Sequence, residues 1–102
     1  MRGAFNEDIG AWDTSAATSM RSMFSRGIGA AGTTLFNQPI GDWDVRRVTN
    51  FEDMFYRAER FNQHLDGWTT SAAQKMYQMF HHATAFNGRV PFDTYQSHPD
   101  VY

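Results

Sequence analysis

The chain repeats itself, and the length of the repeat restricts its possible folds more than any other feature. The dipeptide Phe-Asn occurs at Phe5-Asn6, Phe36-Asn37, Phe61-Asn62 and Phe86-Asn87, at separations of 31, 25 and 25 residues. Four residues after each Phe stands an aliphatic side chain, Ile9, Ile40, Leu65 and Val90. Trp12, Trp43 and Trp68 stand seven residues after the first three, whereas the fourth copy has Asp93 there, beside Phe92. Further on, Ala17, Val48 and Ala73 agree, then Met20, Phe51 and Met76, then the pairs Met23-Phe24, Met54-Phe55 and Met79-Phe80. The long first interval comes from six extra residues between Phe24 and Phe36, where Gly27-Ile28-Gly29-Ala30-Ala31-Gly32 reads as a loop bulging between turns. The 102 residues therefore read as one repeat domain: repeat 1 over 5–35 with the insertion, repeat 2 over 36–60, repeat 3 over 61–85, and a partial repeat with a tail over 86–102.

Each unit has two halves. Phe36-Asn37-Gln38-Pro39-Ile40-Gly41-Asp42-Trp43 spaces its apolar side chains unevenly and carries Pro and Gly, so it is expected to be extended, with a very short strand or none. In the second half Val48, Phe51, Met54, Phe55 and Ala58 recur at a spacing that predicts a short helix, repeated by Ala73, Met76, Met79, Phe80 and Ala83. Thr49 with Glu52, and Ser71 with Gln74, resemble capping boxes for it. An extended segment, a short helix and a return to the start within about 25 residues predict a tandem-repeat solenoid of leucine-rich-repeat-like type. One such unit cannot bury its own apolar face, so neighbours must cover it.

Composition narrows the functional classes. Nine basic and eleven acidic residues are mixed along the chain, giving a net charge of -2 and no footprint for nucleic acid or an anionic membrane. Without cysteine there is no disulfide, zinc thiolate or thiol nucleophile. No window approaches the length of a membrane span, and Met1-Arg2-Gly3-Ala4-Phe5 contains no apolar core of a signal peptide. Nine Phe, six Met, three Trp and four Tyr imply a core rich in rings and thioethers.

Candidate residues fit structural roles better than catalytic ones. The four aligned asparagines are expected to form a ladder, each amide bonding backbone groups of its own and the adjacent coil. The tryptophans, at one offset in three copies, are expected in the core rather than in a sugar-stacking stripe. Asp13 and Asp44 follow tryptophans, but Thr69 stands at that place in repeat 3, so a turn role is expected in preference to Ca2+ ligation. His64, His81 and His82 lack acidic or Cys partners at ligand spacing, and no metal or cofactor is expected. Arg46, Arg47, Arg57 and Arg60, beside Glu52, Asp53 and Glu59, are expected to form a solvated surface network, with a partner patch as the alternative. Ser, His and Asp occur without a nucleophile elbow, phosphate loop or carboxylate pair, so no catalytic residue is assigned and the chain is not expected to be an enzyme.

The joint motif Phe-Asn-Gln, Trp-Asp and Met-Phe-x-x-Ala, as in Phe36-Asn37-Gln38, Trp43-Asp44 and Met54-Phe55-Tyr56-Arg57-Ala58, resembles the bacterial surface protein repeat of mycoplasma-type surface lipoproteins and BspA-like proteins. The resemblance runs from Phe5 to about Val90. It departs from the pattern at Glu7 and Gly27 in copy one, at Thr69 in copy three, and after Val90. It implies a leucine-rich-repeat-like design, display at the cell surface or outside the cell, and an adhesion-like role towards an unknown protein or glycan. No ligand residue comes with it. The alternative is a structural spacer without a specific ligand. Because Phe5 begins a repeat almost at once without a polar cap, the first coil is expected to present an open apolar end. The chain is accordingly expected either to be the C-terminal piece of a longer array, closed by the tail from Pro91 to Tyr102, or to self-associate through its N-terminal coil.

Overall fold

The computed structural model describes residues 6–25 and 34–90. The insertion loop expected at Gly27 to Gly32 and the tail beyond Val90 lie outside the described residues.

Equivalent segments of successive repeats lie side by side in parallel. Ser19 bridges to Asn50, and Asn50 to Lys75. Around these bridges the backbone divides its hydrogen bonds by parity. In the first repeat the N–H groups of Met20, Ser22 and Phe24 donate to the carbonyls of Asn50, Glu52 and Met54. In the second, Phe51, Asp53, Phe55 and Arg57 donate to Lys75, Tyr77, Met79 and His81. The intervening N–H groups turn back along their own chain: Met54 to Phe51, Tyr56 to Asp53, Ala58 to Phe55, with the equivalent bonds from Met79, His81 and Ala83 in the third repeat. Odd and even peptide units are thus both satisfied, one set between repeats and one set within them, as buried backbone requires.

The second halves are therefore not the helices that the apolar spacing suggests. No helix occurs among the described residues, and residues 52–57 are a continuous run of turns. The physical reason lies in the same spacing. Val48, Phe51, Met54 and Ala58 all donate bonds that close i to i+3 turns or pass to the next repeat, so a period near three marks turn corners here. A helix also needs every residue right-handed, whereas Ser22, Asp53 and Gln78 share one repeat position and have φ of 57°, 56° and 53°. Arg57 and His82 share a second such position, with φ of 56° and 58°. The proposed capping boxes also dissolve. Thr49 donates its N–H to Thr18 and accepts from Gln74 and Lys75, which makes it a rung between repeats.

The first halves are extended with isolated turns and no strand among the described residues. Trp12, Trp43 and Trp68 each close a turn by donating their N–H to Ile9, Ile40 and Leu65. The indole N–H of Trp43 then reaches back to the Ile9 carbonyl at 3.0 Å, and that of Trp68 to the Ile40 carbonyl at 2.9 Å. Three glycines lack room for a side chain here, and at Gly88 a Cβ would run into the Gln63 carbonyl. A Cβ on Gly10 would lie 2.6 Å from the Pro39 carbonyl oxygen, and one on Gly41 2.9 Å from that of His64.

The core between the halves is built from rings in columns. Phe24, Phe55 and Phe80 follow one another at 5.6 and 5.5 Å, and Phe36, Phe61 and Phe86 at 6.1 and 6.0 Å. The columns interlock where the last ring of one repeat stacks on the first of the next, at 4.1 Å for Phe24 on Phe36 and Phe55 on Phe61, and 4.2 Å for Phe80 on Phe86. Each stacked pair contributes about 0.5 to 1.5 kcal/mol beyond area burial. Trp43 and Trp68 are 3% exposed, as a core role demands, but Trp12 is 54% exposed and stacks on Trp43 at 6.5 Å. The first coil's Ile9, Met20 and Phe24 are nonetheless buried. Among the described residues of that coil, Trp12 is an exposed large apolar side chain.

The left-handed positions give a direct check. Gln78→Gly is expected to leave the melting temperature unchanged or raise it, because a left-handed L-residue costs roughly 1 to 2 kcal/mol that glycine does not pay. Gln78→Val is expected to lower it. Equal melting temperatures for the two variants would contradict the turn geometry.

Candidate functional site

Three exposed regions gather polar side chains. The first is a ridge on the turn-rich halves. There the Tyr56 ring stacks on His81 at 5.7 Å, the Arg57 guanidinium sits 5.6 Å from the Tyr56 centroid, and His81 meets His82 edge to face at 4.2 Å. Tyr77 stands 52% exposed beside them in sequence, and Arg21 pairs with Glu52 at 3.8 Å. The left-handed turns at Arg57 and His82 help set the direction of these side chains from the backbone. Tyr, His and Arg carry large contact surfaces with polar ends, and Tyr and Arg are among the residues enriched at binding hot spots.

The ridge also holds an electrostatic tension. Asp53 is half-buried, with Oδ1 enclosed and without a hydrogen-bond partner, and Arg57 Nε is likewise enclosed and unpartnered. Burial, reinforced by the Glu52 carboxylate, raises the Asp53 pKa above its ordinary value, while Arg21 and His81 oppose the shift.

The second region is a polar pocket of about 350 Å³ lined by Ser15, Asp44, Arg46 and Arg47. Asp44 in its wall and the neighbouring Asp13 serve turns. Asp13 Oδ1 accepts from the Ser15 N–H at 3.0 Å and hydroxyl at 2.6 Å, and Asp44 Oδ1 accepts from the Arg46 N–H at 3.1 Å. The Arg46 guanidinium returns to Asp44 through both Nε and an NH2 nitrogen, at 3.0 and 2.9 Å. Hydrogen bonds from Ser15 hold the Asp13 carboxyl below its usual range, and those from Arg46 do the same for Asp44.

The third is an open groove of about 500 Å³ crossing three repeats along their first halves, with Asp8, Asp42, Gln63 and His64 among its walls. The asparagine ladder runs alongside. Asn6, Asn37 and Asn62 each accept, through Oδ1, the backbone N–H of the next asparagine at 2.8 Å. Gln38 and Gln63 reinforce it, donating their side-chain amides to Asn6 and Asn37. This ladder is at the surface: Asn6, Asn62 and Asn87 are exposed.

The other residues singled out from sequence are dispersed. His81 and His82 touch, but His64 belongs to the groove and accepts the Arg89 N–H through Nδ1 at 2.9 Å. No group of three metal-ligating side chains forms among the described residues. Of the charged residues expected in a surface network, Arg46 is held by Asp44, Glu52 pairs with Arg21, and Arg57 lies over Tyr56. The ridge was not legible in sequence because it depends on turns where a helix was expected. The recurrence of polar residues at the position of Ser22, Asp53 and Gln78 was the available signal.

Asp53 makes a pH prediction. Because its folded pKa is raised, the proton is held more tightly in the native than in the unfolded chain, and the native state is penalised once pH rises through the unfolded value. Asp53→Asn is therefore expected to raise the melting temperature at neutral pH, with the gain vanishing below the ordinary carboxylate range. A gain that persists unchanged in acid would point to a cause other than charge.

The family model described as "Mycoplasma protein of unknown function, DUF285" matches residues 1–92. Comparison with curated proteins and with solved structures gives no match.

Proposed function

The chain belongs to this family of mycoplasma proteins of unknown function, and we propose that it is a non-catalytic, solenoid-type repeat module of a surface protein that binds a partner through the Tyr–His–Arg ridge. The leucine-rich-repeat-like or BspA-like reading belongs to the same proposal. It is supported by the parallel pairing of equivalent positions 25 residues apart, which is how a solenoid propagates, although each turn here is richer in β-turns than that design implies. A role at the cell surface or outside the cell, towards a protein or glycan, rests on the resemblance of the repeat motif. No helix among the described residues is long and apolar enough to cross a membrane.

The observation that carries the binding reading is the ridge itself. Tyr56, Arg57, His81 and His82 form one stacked cluster of aromatic and cationic side chains on exposed or half-exposed turns, and Tyr77 is exposed in the same repeat. Ring stacking already fixes Tyr56 and His81, so little side-chain entropy is lost on contact. Self-association through the first coil is part of the proposal as a second contact, with Trp12 as the ring that would leave water.

A structural spacer is the second reading, and one observation favours it. Exposed positions change type from copy to copy, as in Arg21, Glu52 and Tyr77 at one place and Ser25, Tyr56 and His81 at another. Neither of these two places on the turn-rich halves repeats a side-chain type among the described residues; the surface position that does repeat is the asparagine ladder of the first halves.

A panel of immobilised matrix proteins separates the two. The chain is expected to bind at least one member, and Tyr77→Ser with His82→Ser is expected to weaken that binding at least about tenfold, the range of one hot-spot loss, without lowering the melting temperature. No binding across the panel, or binding indifferent to the double variant, would support the spacer.

A further inference from the structure

We propose that the groove along the first halves is a binding site for a neutral oligosaccharide, separate from the ridge. Its floor is made by what is missing. Gly10 and Gly41 have no room for Cβ because the next repeat's carbonyl oxygens stand 2.6 and 2.9 Å from where it would be. This close approach of backbones at Gly10 and Gly41 lines a trough across three repeats, with a volume of about 500 Å³, within the range that accommodates small ligands.

The walls offer mixed chemistry. Asp42 is exposed. Asp8 uses Oδ1 for the Gly10 N–H at 3.0 Å, which leaves Oδ2 to accept. Gln63 donates its amide nitrogen to the Asn37 carbonyl at 3.2 Å and to Asn37 Oδ1 at 3.0 Å, leaving its own oxygen as an acceptor. His64 supplies the opposite polarity. Because Nδ1 accepts the Arg89 N–H at 2.9 Å, the neutral imidazole carries its proton on Nε2, a donor. A fixed donor among several acceptors suits hydroxyl groups, each of which both donates and accepts. A cation would use the acceptors alone and leave the His64 proton unmatched. Repeat 3 limits the trough: there the carboxylate moves to Asp66, where Arg89 Nε pairs with it at 2.9 Å, so it is not offered to a ligand.

The test uses the whole chain and a panel of neutral tri- and tetrasaccharides, followed by saturation-transfer NMR and titration. At least one is expected to bind with a dissociation constant on the order of 0.1 to 1 mM. Asp42→Ala is expected to weaken binding about tenfold or more, the loss of one charge-assisted hydrogen bond. Asp42→Asn is expected to stay within about threefold, because an amide still bonds hydroxyls. The ridge variant, Tyr77→Ser with His82→Ser, is expected to bind as the parent does, which separates failure of this site from failure of the ridge reading. Absence of binding by the whole panel would overturn the proposal. So would equal losses for Asp42→Asn and Asp42→Ala, or preferential, salt-sensitive binding of oligolysine, because each marks a site for positive charge.

Discussion

The structure depends on one arrangement of peptide groups: alternate N–H donors point along the stack, and the intervening ones close turns. In the second repeat, Phe51, Asp53, Phe55 and Arg57 send their N–H to the third repeat, while Met54, Tyr56 and Ala58 bond backwards within their own. An ordinary strand presents donors and acceptors alternately to each neighbour, so its dipoles nearly cancel. Here all four of these inter-repeat bonds run in one direction, and the peptide units that carry them add. Only at the start of these halves, among the described residues, does the direction reverse, where Thr49 donates to Thr18, and Gln74 and Lys75 donate to Thr49.

Side chains fit that frame. Turns that close every two or three residues deliver Phe55, Met54 and Ala58 inward and leave Asp53, Tyr56 and Arg57 partly outward, although no regular helix or strand is present among the described residues. The ring columns then match the backbone register, because each Phe lies one repeat above its counterpart. Binding surfaces sit on the leftover positions. The ridge uses turn residues that the core does not need, and the groove exists where glycine lets repeats close upon one another.

Much of this was legible in the chain itself. The register of Phe36, Phe61 and Phe86, and the placement of Ile40, Leu65, Trp43 and Trp68, follow from spacing alone, and all except the half-buried Phe86 lie in the core. The turn roles of Asp13 and Asp44 were also legible, since an Asx side chain before a polar pair has a local bond to make. The conformation of the second halves was not. Val48, Phe51, Met54, Phe55 and Ala58 satisfy a helix period and a three-residue turn period at once, and the choice is made by hydrogen bonds to a neighbouring repeat that no local pattern encodes. Left-handed Arg57 and His82 lacked the glycine that normally announces such turns. The ridge was lost with them, and the groove was overlooked because Asp8, Asp42 and His64 occupy different repeat positions and meet only through stacking.

The most direct measurement of the central claim is through-hydrogen-bond coupling by NMR, on uniformly labelled chain, at the amides of Phe51, Asp53, Phe55 and Arg57. The account predicts couplings to the carbonyls of Lys75, Tyr77, Met79 and His81 respectively. Couplings instead to Arg47, Thr49, Phe51 and Asp53, four residues back along the same chain, would mean that the second halves are helices and that the stacked-turn account is wrong.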